Sequence, residues 1–263
     1  MNRKNIHDPL QSREVFHLEF LRRFGRGAKA DNYALKGGVN LRFFFQSLRY
    51  SEDMDLDIKG IRVDVLRDIV MGILEARSFQ ETLRPWGIGK VIPPNINKAK
   101  QTETTQRFKI HLLMSGGEDL FTKIEFSRRG LKEKAVIQPV PDVILRAYKM
   151  PPLLVPHYVI GAAITQKIGA LAMRSALQAR DIFDLYVLSS QAGEDDFSQK
   201  LTTAALLAKA HERVFKVSFE QFRDTVVSYL VPEDQRVYAT PDTWDEIKLK
   251  ASNFIEELQK RYA

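Results

Sequence analysis

The chain contains no cysteine among its 263 residues. That excludes a disulfide scaffold, a thiolate metal site and a cysteine nucleophile, and it fits a reducing compartment, so a cytoplasmic location is expected. It has no run of about 18 apolar residues, so no membrane span is expected. The start, Met1-Asn2-Arg3-Lys4-Asn5, is basic but leads into no apolar segment, and no secretory signal is expected. Histidine is scarce: His7, His17, His111, His157 and His211 are scattered without ligand spacing, which argues against zinc. Neither the glycine-rich P-loop pattern nor a nucleophile-elbow serine occurs. Repeats and low-complexity tracts are absent as well.

What is present can bury a core, since 44% of the residues are hydrophobic and 28% are charged. The net charge of +7 attracts polyanions such as nucleic acid or nucleoside triphosphates, although it also serves plain solubility.

Apolar periodicity predicts a helix from Pro9 to Phe24, ended by Gly25-Arg26-Gly27, and a strand at Tyr33-Ala34-Leu35 that stops at Gly37-Gly38. A helix from Val39 to Ser47, a strand from Ser51 to Ile58 and a helix from Val63 to Phe79 follow. The stretches Arg107–Leu113 and Phe121–Phe126 flank a polar glycine turn and read as a hairpin. Prolines 139, 141, 151, 152 and 156 suggest a boundary. Beyond it the pattern is helical: one long helix from Ile160 to Ser189, then Ser198–Val214, Phe219–Leu230 and a last helix capped by Thr240. The expected organisation is a mixed α/β domain over 1–150 and an all-helical domain over 151–263.

The most informative stretch is Ser51-Glu52-Asp53-Met54-Asp55-Leu56-Asp57-Ile58. In a strand, Met54, Leu56 and Ile58 point one way, while Ser51, Asp53, Asp55 and Asp57 share the other face. Like charges at this spacing are costly unless a cation shares them, and two carboxylates can hold Mg²⁺ whose shell is completed by substrate phosphates. The alternative is a half-exposed strand with its acids in water. Lys36-Gly37-Gly38 lies one short helix upstream, where glycines and a helix N-terminus can approach phosphate, although an ordinary turn has the same composition. Arg42 and Arg49 add positive charge there. Glu125 alternates with the apolar Ile124 and Phe126. It is a third metal ligand, a general base, or one half of a surface Lys–Glu pair. Lys167, Arg174 and Asp181 recur every seven residues, one stripe on a continuous helix, beside an Arg180–Asp184 pair.

These pieces resemble one family. Lys36-Gly37-Gly38-Val39-Asn40-Leu41-Arg42 followed by Arg49-Tyr50-Ser51-Glu52-Asp53-Met54-Asp55-Leu56 is similar to the first motif of the abortive-infection nucleotidyltransferase toxins of AbiEii/AbiGii type. Lys167, Arg174 and Arg180-Asp181-Ile182-Phe183-Asp184-Leu185 resemble its second motif. The resemblance covers roughly the first 190 residues, in the right motif order. It implies an α/β (α+β) nucleotidyltransferase fold, a mixed sheet with flanking helices followed by a helical domain. It implies catalytic roles for Asp53, Asp55, Lys167 and Asp184, nucleotide contacts from Gly37, Gly38, Arg42, Ser51 and Asp181, and metal ligation by Asp53 and Asp55, with Glu125 possible as a third ligand. It further implies a Mg²⁺-dependent toxin of a toxin–antitoxin or phage-defence system that moves a nucleotide from an NTP to RNA, tRNA being the expected acceptor, with a cognate antitoxin as partner. Two other readings stay open: a protein or small-molecule hydroxyl as acceptor, and a non-catalytic basic module that binds nucleic acid or a partner.

Overall fold

The computed structural model describes residues 8–193 and 203–262, so the basic start and part of the helix expected from Ser198 lie outside the described residues. The chain forms two compact units. One runs to Phe43 and resumes from Tyr50 to Tyr158; the other takes Phe44–Arg49 and everything from Val159 onward.

The first unit begins with α1 (Pro9–Gly27), whose N-cap Asp8 accepts from the Leu10 amide at 2.9 Å. The helix does not stop at Gly25. A Cβ there would sit 3.0 Å from the Tyr33 hydroxyl, so that glycine admits a packing partner rather than a turn. Next come β1 (Tyr33–Lys36), α2 (Gly37–Phe44), β2 (Met54–Ile58), α3 (Val63–Glu75) and α4 (Arg77–Leu83). The single helix expected over Val63–Phe79 is thus two, parted at Ala76, whose extended backbone caps both. The remaining elements are β3 (Ile88–Ile92), β4 (Thr105–Met114), β5 (Asp119–Ser127), β6 (Ala135–Pro139), α5 (Asp142–Ala147) and β7 (Leu154–Tyr158).

The seven strands form one mixed sheet in the order β3-β4-β5-β2-β1-β7-β6. β2 lies antiparallel to β1 and parallel to β5; β4 and β5 form the expected hairpin. The boundary between the units falls just after the proline-rich stretch, between Tyr158 and Val159, but the stretch itself is structured. It supplies β6, α5 and β7, and β7 joins the sheet beside β1, so this unit extends past residue 150. One sheet face is closed by α1. Phe16, Phe20 and Phe24 stack along it at 6.4 and 5.7 Å, and Phe24 meets Tyr33 at 5.0 Å and Phe126 at 5.4 Å. Burying side chains of this size is the main stabilising term for the unit.

The second unit is helical: α6 (Ile160–Met173), α7 (Ala179–Ser189), α8 (Ala204–Val214), α9 (Phe219–Thr225), α10 (Pro232–Tyr238) and α11 (Pro241–Tyr262). The long helix expected over Ile160–Ser189 is broken after Met173, where Arg213 of α8 donates to the carbonyls of Leu171, Ala172 and Arg174 at 2.7–2.9 Å. A distant arginine thus satisfies the orphan acceptors at the end of α6. Trp244 stacks on Phe222 at 4.3 Å and donates to the Val217 carbonyl at 3.1 Å. The expected stripe on α11 (Trp244, Ile247, Ala251, Phe254, Ile255 and Leu258) is buried. Among the described residues, no helix is long and apolar enough to cross a membrane.

Candidate active site

The acidic strand reaches its position by register. On β2, Asp55 stands opposite Lys36 of β1 on one side and Glu125 of β5 on the other. Asp53 lies in the turn just before the strand and meets the Lys123 ammonium at 2.8 Å. Met54, Leu56 and Ile58 are buried, as the alternation requires.

Of the expected acidic face, only Asp55 and Asp57 lie within β2, Ser51 and Asp53 preceding it, and Asp57 is not an open acid. It is only 8% exposed, pairs with Lys36 at 2.6 Å and accepts from the Tyr158 hydroxyl at 2.8 Å, a satisfied structural carboxylate. The signal for it was non-local, since Tyr158 comes from the proline-rich stretch.

Gly37 follows β1 with φ +69°, the left-handed region open to glycine. A Cβ at Gly37 would lie 2.8 Å from the Asp55 carboxylate oxygen, so the turn and the acid are in direct apposition. Gly37 and Gly38 open α2. Ser51 donates from its hydroxyl to the Asp53 carbonyl at 2.7 Å, shaping the turn that carries the acid.

Burial raises the Asp55 pKa, and the neighbouring charges of Glu125 and Asp53 push the same way, while Lys36 and Lys123 oppose them. A crowded, enclosed carboxylate of this kind calls for cationic company. Glu125 is engaged elsewhere, paired with Arg107 at 2.6 Å. Among the described residues, no group of three or more His, Asp or Glu side chains gathers closely enough to hold a metal. Two aspartates supply the oxygen donors, Asp55 against the glycine turn and Asp53, paired with Lys123, just ahead of the strand. That set suits Mg²⁺, which is commonly held by one or two carboxylates and the substrate phosphates.

Arg42 is not directed to this turn. Its guanidinium donates to buried Glu14 at 2.7 Å and lies 4.0 Å over the Tyr50 ring, and the Tyr148 hydroxyl donates to the same carboxylate. Nothing near Arg42 in sequence signals Glu14.

The second motif is gathered in the helical unit. Lys167 on α6 meets Asp184 at 2.5 Å and Asp181 at 3.2 Å, both on α7; Arg174 meets Asp181 at 2.8 Å; Arg49 reaches Asp184 at 3.3 Å. Seven-residue spacing on one continuous helix does not bring Lys167, Arg174 and Asp181 together; the fold-back of α7 on α6 does. Asp184 turns to Lys167 and Arg49 rather than to Arg180, which is exposed. Burial acts to raise the Asp184 pKa, but Lys167 and Arg49 outweigh it and hold the carboxyl below its ordinary value.

The model of the family described as nucleotidyl transferase AbiEii toxin, type IV toxin–antitoxin system, matches residues 19–262. A search of curated proteins finds no match. Among solved structures, the nucleotidyltransferase toxin MenT4 from Mycobacterium tuberculosis H37Rv is similar at TM-score 0.60 and 16% identity, over 97% of this chain and 87% of that one. JHP933 from Helicobacter pylori is similar at TM-score 0.55 and 18% identity, over 96% and 93% respectively. At such identities these likenesses show the nucleotidyltransferase fold alone. The family match spans both motifs, and on that ground the chain belongs to the AbiEii nucleotidyltransferases, the toxins of type IV toxin–antitoxin systems.

Proposed function

We propose that this nucleotidyltransferase moves a nucleotide from an NTP onto an RNA hydroxyl, with Mg²⁺ held by Asp53 and Asp55. The observation that carries the reading is the apposition of Asp55 to the Gly37 turn, with Asp53 in the turn that leads into the same strand. The turn and the N-terminus of α2 receive the triphosphate, and Gly37, Gly38 and Ser51 form its cradle. Bound at the two carboxylates, the metal supplies charge neutralisation for the phosphates and the leaving pyrophosphate. The acceptor oxygen forms a bond to the α-phosphorus, the bond to pyrophosphate breaks, and the hydroxyl proton passes to Glu125. Its carboxylate, oriented by Arg107, suits a base better than a third metal ligand. Lys167 and Asp184 are proposed to serve the reaction on the strength of their motif, with Asp181 sharing in the orientation of Lys167.

RNA is favoured as acceptor by the sheet face beside Asp55. Strand register places Arg107, Lys109 and His111 of β4 against Glu125, Lys123 and Phe121 of β5 on that face. Phe121 is 57% exposed and stacks on His111 at 4.9 Å, and aromatic platforms flanked by cations suit unpaired bases and phosphates. A tRNA end is the acceptor we favour. A cognate antitoxin, a role in abortive infection and a cytoplasmic setting complete the proposal.

The test is to incubate purified protein and Mg²⁺ with each α-³²P NTP, in parallel with total RNA and with RNA-free protein extract. Label on RNA is expected. Label confined to protein would replace the acceptor and keep the chemistry, and RNA binding without turnover of any NTP would contradict the enzymatic reading.

A further inference from the structure

Asp53 precedes β2, so the backbone ladder that fixes Asp55 does not reach it: the ladder with β5 starts at Met54 opposite Ile124. Continued upstream, the parallel register sets Glu52 beside Thr122 and Asp53 beside Lys123, and there side chains take over from backbone. The Thr122 hydroxyl donates to the Glu52 carbonyl at 2.7 Å, and the Lys123 ammonium meets the Asp53 carboxylate at 2.8 Å. Two successive residues of β5 therefore hold the turn from opposite faces of the sheet.

Thr122 is itself held from behind. His17 of α1 places Nε2 3.0 Å from the Thr122 oxygen, and the two residues are 1% and 3% exposed. The threonine's single proton is committed to Glu52, so His17 donates, which fixes its Nε2–H tautomer. Arg13, one helical turn earlier, donates from Nε to the Phe121 carbonyl at 3.0 Å. The turn bearing Asp53 is thus linked through Thr122 to the most deeply packed helix of the unit.

We propose that Thr122, oriented by His17, is a positioning residue for the transfer reaction: it sets the Asp53 carboxylate against Asp55 so that the two share one divalent cation. The inference rests on the metal reading above. Without the hydroxyl, the hydrogen bond that ties the Glu52 carbonyl to β5 is lost and the turn relaxes, and carboxylates that must share an ion tolerate little displacement.

Thr122→Val preserves shape and removes the proton; Thr122→Ser keeps it. The full chain is titrated with Mn²⁺ alone, and free ion is counted by electron paramagnetic resonance. Thr122→Val is expected to bind Mn²⁺ about tenfold more weakly, the usual effect of losing a group that orients a ligand, while Thr122→Ser stays within about twofold of wild type. The apparent KM for Mg²⁺ should rise in proportion, with kcat at saturating Mg²⁺ changed by less than about threefold. His17→Leu should act in the same direction, and His17→Gln, which can still donate, should recover most of the binding. If Thr122→Val does not fold, the His17 pair decides. Wild-type affinity in Thr122→Val, or equal loss in Thr122→Ser, overturns the positioning role alone. No Mn²⁺ binding by wild type overturns the metal reading and the inference with it.

Discussion

Asp55 is enclosed beside Gly37, and burial raises its pKa, with Glu125 and Asp53 adding to the rise and Lys36 and Lys123 opposing it. A carboxyl whose folded pKa lies above its unfolded value favours folding when protonated, and that contribution is lost as pH rises through the folded value. At neutral pH the ionised form therefore costs stability in the metal-free protein. Asp55→Asn removes that cost at constant shape. Its melting temperature in EDTA is expected to rise above wild type, while nucleotide transfer disappears. An unchanged or lower melting temperature would count against a strained carboxylate. Arg42 makes the opposite case. It neutralises Glu14 in a buried cluster with Tyr148 and Tyr50, and removing one partner of a buried ion pair costs about 3–5 kcal/mol. Arg42→Met should lower the denaturant midpoint strongly and leave the KM for NTP of the folded fraction near wild type. A raised KM with unchanged stability would restore the phosphate contact that its motif position suggested.

Elements differ in how much of them the sequence revealed. β2 was legible because one face alternates strictly, and the last helix because Thr240, Pro241 and a buried apolar stripe agree. The break between α6 and α7 was not legible. No glycine or proline marks it, and the residue that makes it tenable, Arg213, lies on α8. Proline density pointed to the unit division, which falls just after Pro156, but it hid two strands, because β7 accommodates Pro156 opposite Ile137 of the edge strand β6. In the site, the aspartates and the glycine turn could be read locally, whereas the partners that hold them, Lys123, Thr122 and Tyr158, are brought in by the sheet. The α6–α7 pair carries its own pH dependence. Asp184 has a lowered pKa, so its contribution is complete above the ordinary aspartate value near 3.9 and is lost as pH falls through the lowered one. Urea midpoints at successively lower pH should fall more steeply for wild type below about pH 4 than for Asp184→Asn, which has no carboxylate to protonate there. Parallel curves would mean that Asp184 does not govern the acid loss.

At the scale of the whole molecule, the net charge of +7 and the basic, aromatic sheet face would make the proposed RNA recognition electrostatic. Each phosphate contact to a single strand contributes about −0.7 to the slope of log affinity against log salt. The KM for RNA should therefore climb steeply with NaCl, and replacing Lys109 with Ala should flatten that slope by about one contact's worth. A salt-independent KM would point to a different acceptor. The chain also refuses a single cut. Because Phe44–Arg49 belong to the helical unit and Arg49 pairs with Asp184, a fragment ending at Tyr158 would separate a buried arginine from its partner.

The central claim is that Asp53 and Asp55 hold the divalent cation that nucleotide transfer needs. The most direct measurement is pyrophosphate release as a function of Mg²⁺ concentration for wild type, Asp53→Ala and Asp55→Asn, with folding checked by circular dichroism. The expected result is saturable Mg²⁺-dependent release by wild type and none above background from either folded variant. Release by either variant at the wild-type rate and with the same Mg²⁺ dependence would contradict it.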